Sequence, residues 1–148
     1  MKAHSLIFAD GVLFLLTMLV TKAPAAAEAE AKSGLSLCLT TDKTIYAPGE
    51  TIRMSLVVAN HTPDEVILRF RTAQRFDFLI EREGKKIWRW SKGGMFAQVL
   101  GEEKLSPGAA RTFSVKFEEK LESGLYRITG IVVADPSPLA ASSNIVIR

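Results

Sequence analysis

Few side chains in this sequence have the chemistry that catalysis requires. There are two histidines, and His4 lies in an N-terminal segment expected to be removed, so a serine or cysteine nucleophile would depend on His61 alone. Asp77 and Glu81 are four residues apart on a predicted strand, hence on one face, but each has a basic partner on the next strand. No nucleophile elbow, phosphate-binding glycine loop or histidine–cysteine cluster is present. The sequence therefore predicts a non-enzyme without catalytic, cofactor-binding or metal-binding residues.

Charge and cysteine content exclude two further classes of protein. The formal net charge is +3, and like charges form only short runs such as Glu102-Glu103. The chain thus lacks the basic patch typical of nucleic-acid binding. Cys38 is the single cysteine and lies in the alternating run Leu35–Leu39. A disulfide within the monomer is therefore excluded, and a buried or half-buried strand thiol is predicted.

The N-terminus has the pattern of a secretory signal peptide. Lys2 precedes an uncharged run of ten residues, Gly11 to Val20, and small residues follow, with A-x-A cleavage sites ending at Ala25 and Ala27. The run is too short for a membrane span, which needs about 20 apolar residues. We expect export to the periplasm or medium and no membrane association after cleavage; an uncleaved anchor or a wrong start codon is the alternative. The predicted division is a signal peptide over 1–27, a flexible leader over 28–34 and one domain over 35–148.

Short alternating apolar segments recur from Leu35 onward, with turn residues between them and no helical period. This pattern predicts an all-β protein, an Ig-like antiparallel β-sandwich of about seven to nine strands. Gly124-Leu125-Tyr126 at a strand entrance resembles the tyrosine corner of Greek-key sandwiches, although a plain core tyrosine fits equally well. The predicted strands cover residues 35–41, 51–60, 66–71, 96–100, 110–117, 126–134 and 144–148, with a hairpin within 72–96.

The segment Thr72–Phe96 is the most informative of these and predicts a β-hairpin. Its arms carry alternating aromatic residues, and a three-residue loop, Arg82-Glu83-Gly84, ends in a glycine suited to positive φ. Such a loop sets a register in which chemically matched side chains face each other. The predicted pairs are Glu81 with Lys85, Leu79 with Ile87, Asp77 with Arg89, Phe78 with Trp88 and Phe76 with Trp90.

The four hairpin aromatics allow two interpretations. Their period-two phase matches the apolar faces of the other strands, which favours the core, where each would bury about 150–250 Å². Alternatively, they form an exposed platform that binds a sugar or a peptide. The arginines that we expect on an outer face are Arg53, Arg69, Arg71 and Arg75.

The hairpin also carries a sequence signature. Ala73–Phe78, Gly84 and Ile87–Ser91, followed by Phe96, resemble the signature of the BsuPI family, the intracellular proteinase inhibitor domain first known from bacilli. The resemblance extends over roughly Leu35–Phe117 and implies a small β-sandwich that binds and inhibits a serine protease. The signature residues are Phe76, Asp77, Phe78, Gly84, Trp88, Arg89, Trp90 and Phe96.

The resemblance implies an inhibitor that inserts an exposed loop into a protease cleft, here in an exported protein. The candidate partner-binding loop follows the tryptophans and contains Lys92, Gly93, Gly94 and Met95, although its two glycines make it supple. Gly101–Gly108 and Asp135–Ser143 are the other candidates. The alternative is a non-inhibitory Ig-like module of the cell envelope that binds a protein or a polysaccharide. No cofactor or nucleic acid is expected as a partner.

Overall fold

The computed structural model describes residues 26–29 and 34–148, and this part of the chain is built from strands. The alternation of buried and exposed side chains, as in Leu35–Thr41 and Ile52–Asn60, is what a sheet with one buried face requires. The predicted all-β class is confirmed. The eleven strands are β1 (Ala26–Ala29), β2 (Leu35–Thr41), β3 (Ile45–Tyr46), β4 (Ile52–Asn60), β5 (Val66–Phe70), β6 (Phe76–Arg82), β7 (Lys85–Arg89), β8 (Gly101–Leu105), β9 (Ala110–Phe117), β10 (Gly124–Val132) and β11 (Leu139–Ile147).

Two sheets and a two-stranded ribbon enclose one core. The sheets have the orders β1-β2-β4-β9 and β3-β11-β10-β6-β7, and the ribbon pairs β5 with β8. The ladders of the described strands are antiparallel except that between β3 and β11. Gly130 lets the sheets approach closely, because a Cβ atom there would lie only 2.8 Å from Leu56 Cδ1. The predicted β-sandwich is therefore confirmed, with side chains of both sheets in a single hydrophobic cluster.

The strand boundaries differ from the prediction in several places, including the unpredicted β3 and an earlier start and end of β10. Phe96–Leu100 is not a strand, whereas Gly101–Leu105, predicted as a loop, forms β8 and pairs with β5. Leu139 rather than Asn144 begins the last strand. Ala26–Ala29 pairs with β2 and includes two residues assigned to the leader. Residues 1–25, which hold most of the predicted signal peptide, lie outside the described residues.

The register predicted for the hairpin is wrong. The loop has two residues, since Arg82 pairs directly with Lys85. The ladder then shifts at a bulge between Ile80 and Glu81, so that Ile80 lies opposite Trp88. Further along, the backbone amide of Trp90 donates to the carbonyl of Phe78 at 2.9 Å. Leu79 consequently lies opposite Arg89 instead of Ile87.

The backbone angles at the hairpin tip are those of a two-residue loop. Glu83 and Gly84 have φ angles of 52° and 76°, the two left-handed residues that a type I′ turn requires. The predicted positive φ of Gly84 is thus confirmed.

We expect Gly84→Val to destabilise the domain by about 1–2 kcal/mol, because a β-branched residue is poorly tolerated in the left-handed region. Glu83→Gly, the matched variant at the adjacent left-handed position, should cause no such loss. Urea unfolding of both variants measures the effect, and a Gly84→Val protein as stable as the wild type would contradict this turn assignment.

Three smaller predictions concern individual side chains. The tyrosine corner is present, because the Tyr126 hydroxyl donates to the carbonyl of Glu122 at 2.8 Å. Of the four arginines expected on an outer face, Arg75 lies partly inside, with its guanidinium 4.6 Å from the centre of the Phe70 ring and a bond to Glu103. The other three are exposed. Cys38 is half-buried in β2, as predicted.

Candidate functional site

A buried carboxylate joins the two parts of the hairpin signature. Asp77 is 0% exposed. Its Oδ2 accepts hydrogen bonds from Arg89 Nε at 2.7 Å and from the Ser91 hydroxyl at 2.6 Å. Its Oδ1 accepts the backbone amides of Ser91 at 3.1 Å and of Phe78 at 3.0 Å. One carboxylate therefore fixes β6, the end of β7 and the first residue beyond Trp90.

This arrangement corrects the interpretation of Asp77 as half of an ordinary surface ion pair. Asp77 and Arg89 do form an ion pair, but diagonally across the ladder and on a fully buried carboxylate. Burial alone would raise the pKa of Asp77; hydrogen bonds from Ser91 and Arg89 outweigh burial and hold the pKa below its ordinary value. The carboxylate is therefore ionised and serves to hold the chain in place.

The hairpin aromatics close the open side of the sandwich. The Phe76 ring stacks between Trp90, with centroids 4.4 Å apart, and Phe113 of β9, at 4.9 Å. Trp88 meets Phe117 edge to face at 5.1 Å. The Trp88–Phe117 contact joins β7 to β9, the edge strands of the two sheets, and the Phe76–Phe113 contact joins β6 to β9. The core interpretation is confirmed, since Phe78 is fully buried and the other three pack against the core.

Two successive tight turns shape the candidate loop Lys92–Met95. The amide of Lys92 donates to the Arg89 carbonyl at 3.2 Å, and the amide of Gly94 donates to the Ser91 carbonyl at 3.0 Å. Gly93 has the positive φ of 80° that only glycine adopts readily. The glycines thus allow the chain to turn sharply directly after Ser91, the residue that is bonded to Asp77.

The segment Met95–Leu100 is the most exposed apolar stretch that the structure describes. Met95 is 98% exposed, Val99 61% and Leu100 82%. Between them, Phe96 packs on Trp90 with ring centroids 5.9 Å apart. The Ala97 carbonyl accepts the amide of Ala73 at 2.9 Å. The segment is therefore held at its middle while its large apolar side chains face solvent, an arrangement typical of a binding surface.

The exposure of the segment Met95–Leu100 was not predicted from the sequence. Alternation in Phe96–Leu100 predicted a strand, but among the described residues the segment is bonded through its backbone to Ala73 and forms no ladder. A possible signal was the Lys92–Met95 loop directly before it, whose glycines prevent the hairpin from continuing.

Shallow grooves flank the Arg89 side chain on both sides. One has a volume of about 350 Å³ and extends to Lys92, and the other, of about 440 Å³, extends to the loop that contains Pro136. Arg71 lines the second groove and is paired with Asp135 at 3.0 Å. The guanidinium of Arg89, held through its Nε by Asp77, thus lies beside the candidate loop and has further N–H groups that can donate to a bound partner.

The other two candidate loops are shorter than predicted. Gly101–Gly108 is mostly strand β8, followed by a tight turn in which the Ala109 amide donates to the Ser106 carbonyl at 2.9 Å. In Asp135–Ser143, the strand begins at Leu139, and the remaining loop lies beside β5 through a bridge between Arg69 and Asp135. Neither presents a run of exposed apolar side chains.

One pairing with catalytic residue types was not foreseen. Ser36 Oγ lies 2.7 Å from His61 Nε2 on the surface. Among residues 34–148 no carboxylate bonds the other ring nitrogen of His61, so the third member of a nucleophilic triad is not in place. The described residues also contain no group of three or more histidine, cysteine or acidic side chains arranged to hold a metal ion. Within this part of the chain, no helix has the length and hydropathy to cross a bilayer.

Comparisons with known proteins agree with this architecture. The model of the BsuPI family, described as intracellular proteinase inhibitor, matches residues 39–137. No curated protein sequence gave a match. The structure of Spo0M, a sporulation control protein from Bacillus subtilis, is similar with a TM-score of 0.52 and 12% identity, covering 79% of this chain and 50% of Spo0M. The C-terminal domain of wzt is similar with a TM-score of 0.53 and 14% identity, over 84% of this chain and 79% of that domain.

At 12% and 14% identity, these two structures show that the fold is shared and nothing about function. This chain spans half the length of Spo0M.

Proposed function

The chain belongs to the BsuPI family of intracellular proteinase inhibitors, and we propose that it inhibits a serine protease by inserting the loop Lys92–Leu100 into the catalytic cleft. The observation that carries the proposal is the exposure of Met95, Val99 and Leu100 on a backbone that is fixed between them. A protease cleft binds its substrates as extended chain, and this loop offers exposed apolar side chains without unfolding the domain.

The anchors on the loop reduce the entropy lost on binding. A loop that already has its bound conformation avoids much of the ordering cost, which is about 0.5–1.5 kcal/mol for each side chain immobilised. On one side the Asp77–Ser91 bonds and the Ser91–Gly94 turn hold the chain. On the other side the Phe96–Trp90 contact and the Ala73–Ala97 bond hold it. If the protease cut the loop between these anchors, both new ends would stay in place, so that cleavage would not release the inhibitor.

The export of the protein is the second part of the proposal. The apolar run Gly11–Val20 and the small residues after it support a signal peptide, and the target protease would then lie outside the cytoplasm. We expect the mature chain from its native host to begin at Ala26 or Glu28. Intact-mass measurement of the secreted protein tests this expectation, and a mass equal to that of all 148 residues would refute it.

Inhibition can be tested with a panel of subtilisin-like and trypsin-like proteases. The wild-type domain is expected to inhibit at least one of them at an equimolar ratio. A variant with serine at positions 95, 99 and 100 should bind at least about 100-fold more weakly, since each apolar side chain contributes about 1.5–3 kcal/mol when fully buried.

The chain offers a matched control for the loop variant. Leu125 is 61% exposed, as is Val99, but it lies near the hairpin tip at the other end of the sandwich. Leu125→Ser should inhibit as well as the wild type. If the wild type inhibits no protease at micromolar concentration, the alternative of a non-inhibitory envelope module is favoured. If the loop variant inhibits normally, the protease binds elsewhere.

A further inference from the structure

Met95 occupies a special position within the exposed loop. Its side chain is 98% exposed, the highest value among the large apolar side chains of the described residues. Its backbone, however, is tethered on both sides. One residue before it, the Gly94 amide is bonded to the Ser91 carbonyl, and one residue after it, the Phe96 ring packs on Trp90. A fully exposed side chain between two fixed neighbours is what a protease requires of the residue that fills its primary specificity pocket.

Leu100 is the competing residue, and its position is less suitable. Although its side chain is 82% exposed, the next residue, Gly101, already pairs with Phe70 in the β5–β8 ladder. The space beside Gly101 is filled by the Arg75 guanidinium. A cleft that binds extended chain on both sides of its primary pocket therefore has less room around Leu100 than around Met95. Met95 has no ladder on either side.

The chemistry of the loop defines the pocket that it fits. No charged residue occurs between Gly93 and Leu100, and a methionine side chain is long, unbranched and apolar. An acidic primary pocket, as in trypsin-like enzymes, would leave its carboxylate unpaired against such a side chain, whereas a deep apolar pocket would bury it.

We infer that Met95 fills the primary specificity pocket of the target, and that this target is a serine protease with an apolar pocket. This inference rests on the proposed inhibitory function and names the residue and the class of enzyme within it. Phe96 and the Ser91–Gly94 turn position Met95, and the Asp77 carboxylate holds the base of that turn through Ser91.

A specificity exchange tests the inference. We expect Met95→Lys to bind subtilisin-like or chymotrypsin-like proteases at least about 100-fold more weakly and to acquire inhibition of a trypsin-like protease. Met95→Leu should retain the original specificity. Leu100→Lys, at the competing position within the loop, should confer no inhibition of the trypsin-like protease. Leu125→Lys, the matched control outside the loop, should change the inhibition constants by less than about threefold.

The outcomes separate the assignment of Met95 from the proposed inhibitory function. If the wild type inhibits apolar-pocket proteases and Met95→Lys exchanges specificity while Leu100→Lys does not, the inference holds. If the wild type inhibits and the Met95 variants behave identically to it, or if Leu100→Lys causes the exchange, the assignment of Met95 is overturned while the inhibitory function stands. If the wild type inhibits no protease of either class, both are overturned.

Discussion

Asp77→Ala is expected to lower the free energy of unfolding by about 2–4 kcal/mol, because it leaves buried backbone amides without their acceptor, each at a cost of about 1–3 kcal/mol. The substitution leaves the amides of Phe78 and Ser91 without their acceptor and opens a cavity below Arg89. Urea unfolding at neutral pH measures the loss.

Glu102→Ala is the matched control for this substitution. Glu102 also faces an arginine, Arg69, but at 3.6 Å and with about half of its side chain exposed. Its loss should cost no more than about 1 kcal/mol. Equal and small effects of both substitutions would show that Asp77 does not hold the hairpin.

The same carboxylate makes stability depend on pH. The pKa of Asp77 is below its ordinary value in the folded state, because hydrogen bonds from Ser91 and Arg89 outweigh the effect of burial. A carboxyl group with a depressed folded pKa stabilises the fold above its unfolded pKa, about 3.9, and this contribution is lost as the pH falls through the folded value. The stability difference between the wild type and Asp77→Asn should therefore shrink below about pH 4. A difference that is constant down to about pH 2 would contradict the ion-pair assignment.

Trp90→Ala is expected to cost about 3 kcal/mol, the lower end of the range for a large aromatic side chain, because the ring is only half-buried. Trp90 also connects the core to the loop, since it stacks on Phe76 and contacts Phe96. Its removal should therefore weaken inhibition as well as stability.

Trp88→Ala separates these two effects. Trp88 is half-buried and packs on Phe117, whereas Trp90 contacts Phe96 of the loop. We expect a similar loss of stability but unchanged inhibition constants, measured at a temperature where both variants remain folded. Equal inhibition by the two variants would show that the Phe96–Trp90 contact does not position the loop.

The fold was largely predictable because alternation is a local property. Strands β2, β4 and β9 follow from it, and so does the positive φ of Gly84, which depends only on the turn. The register was not predictable, because the turn places Glu83 in an unfavourable left-handed conformation and a bulge then shifts the ladder. Neither feature has a signature in the sequence of a single hairpin.

The candidate site was predictable only in part. The sequence placed Lys92–Met95 outside the strands, as the structure has it. The burial of Asp77, however, depends on Ser91, which lies beyond the end of β7 and could be placed only by the structure. The exposed apolar side chains of Val99 and Leu100 were assigned to a strand, since an exposed extended segment and a half-buried strand share the same alternation.

A crystal structure of the domain bound to the protease that it inhibits tests the central claim most directly. We predict that Lys92–Leu100 lies in the catalytic cleft, with the Asp77–Arg89 pair intact. The hairpin tip at Glu83-Gly84 should be free of contacts, since the seven-residue strand β6 places it about 20 Å away. A complex in which the protease binds the hairpin tip or the outer face of a sheet, while Met95 remains in solvent, would contradict the proposed function.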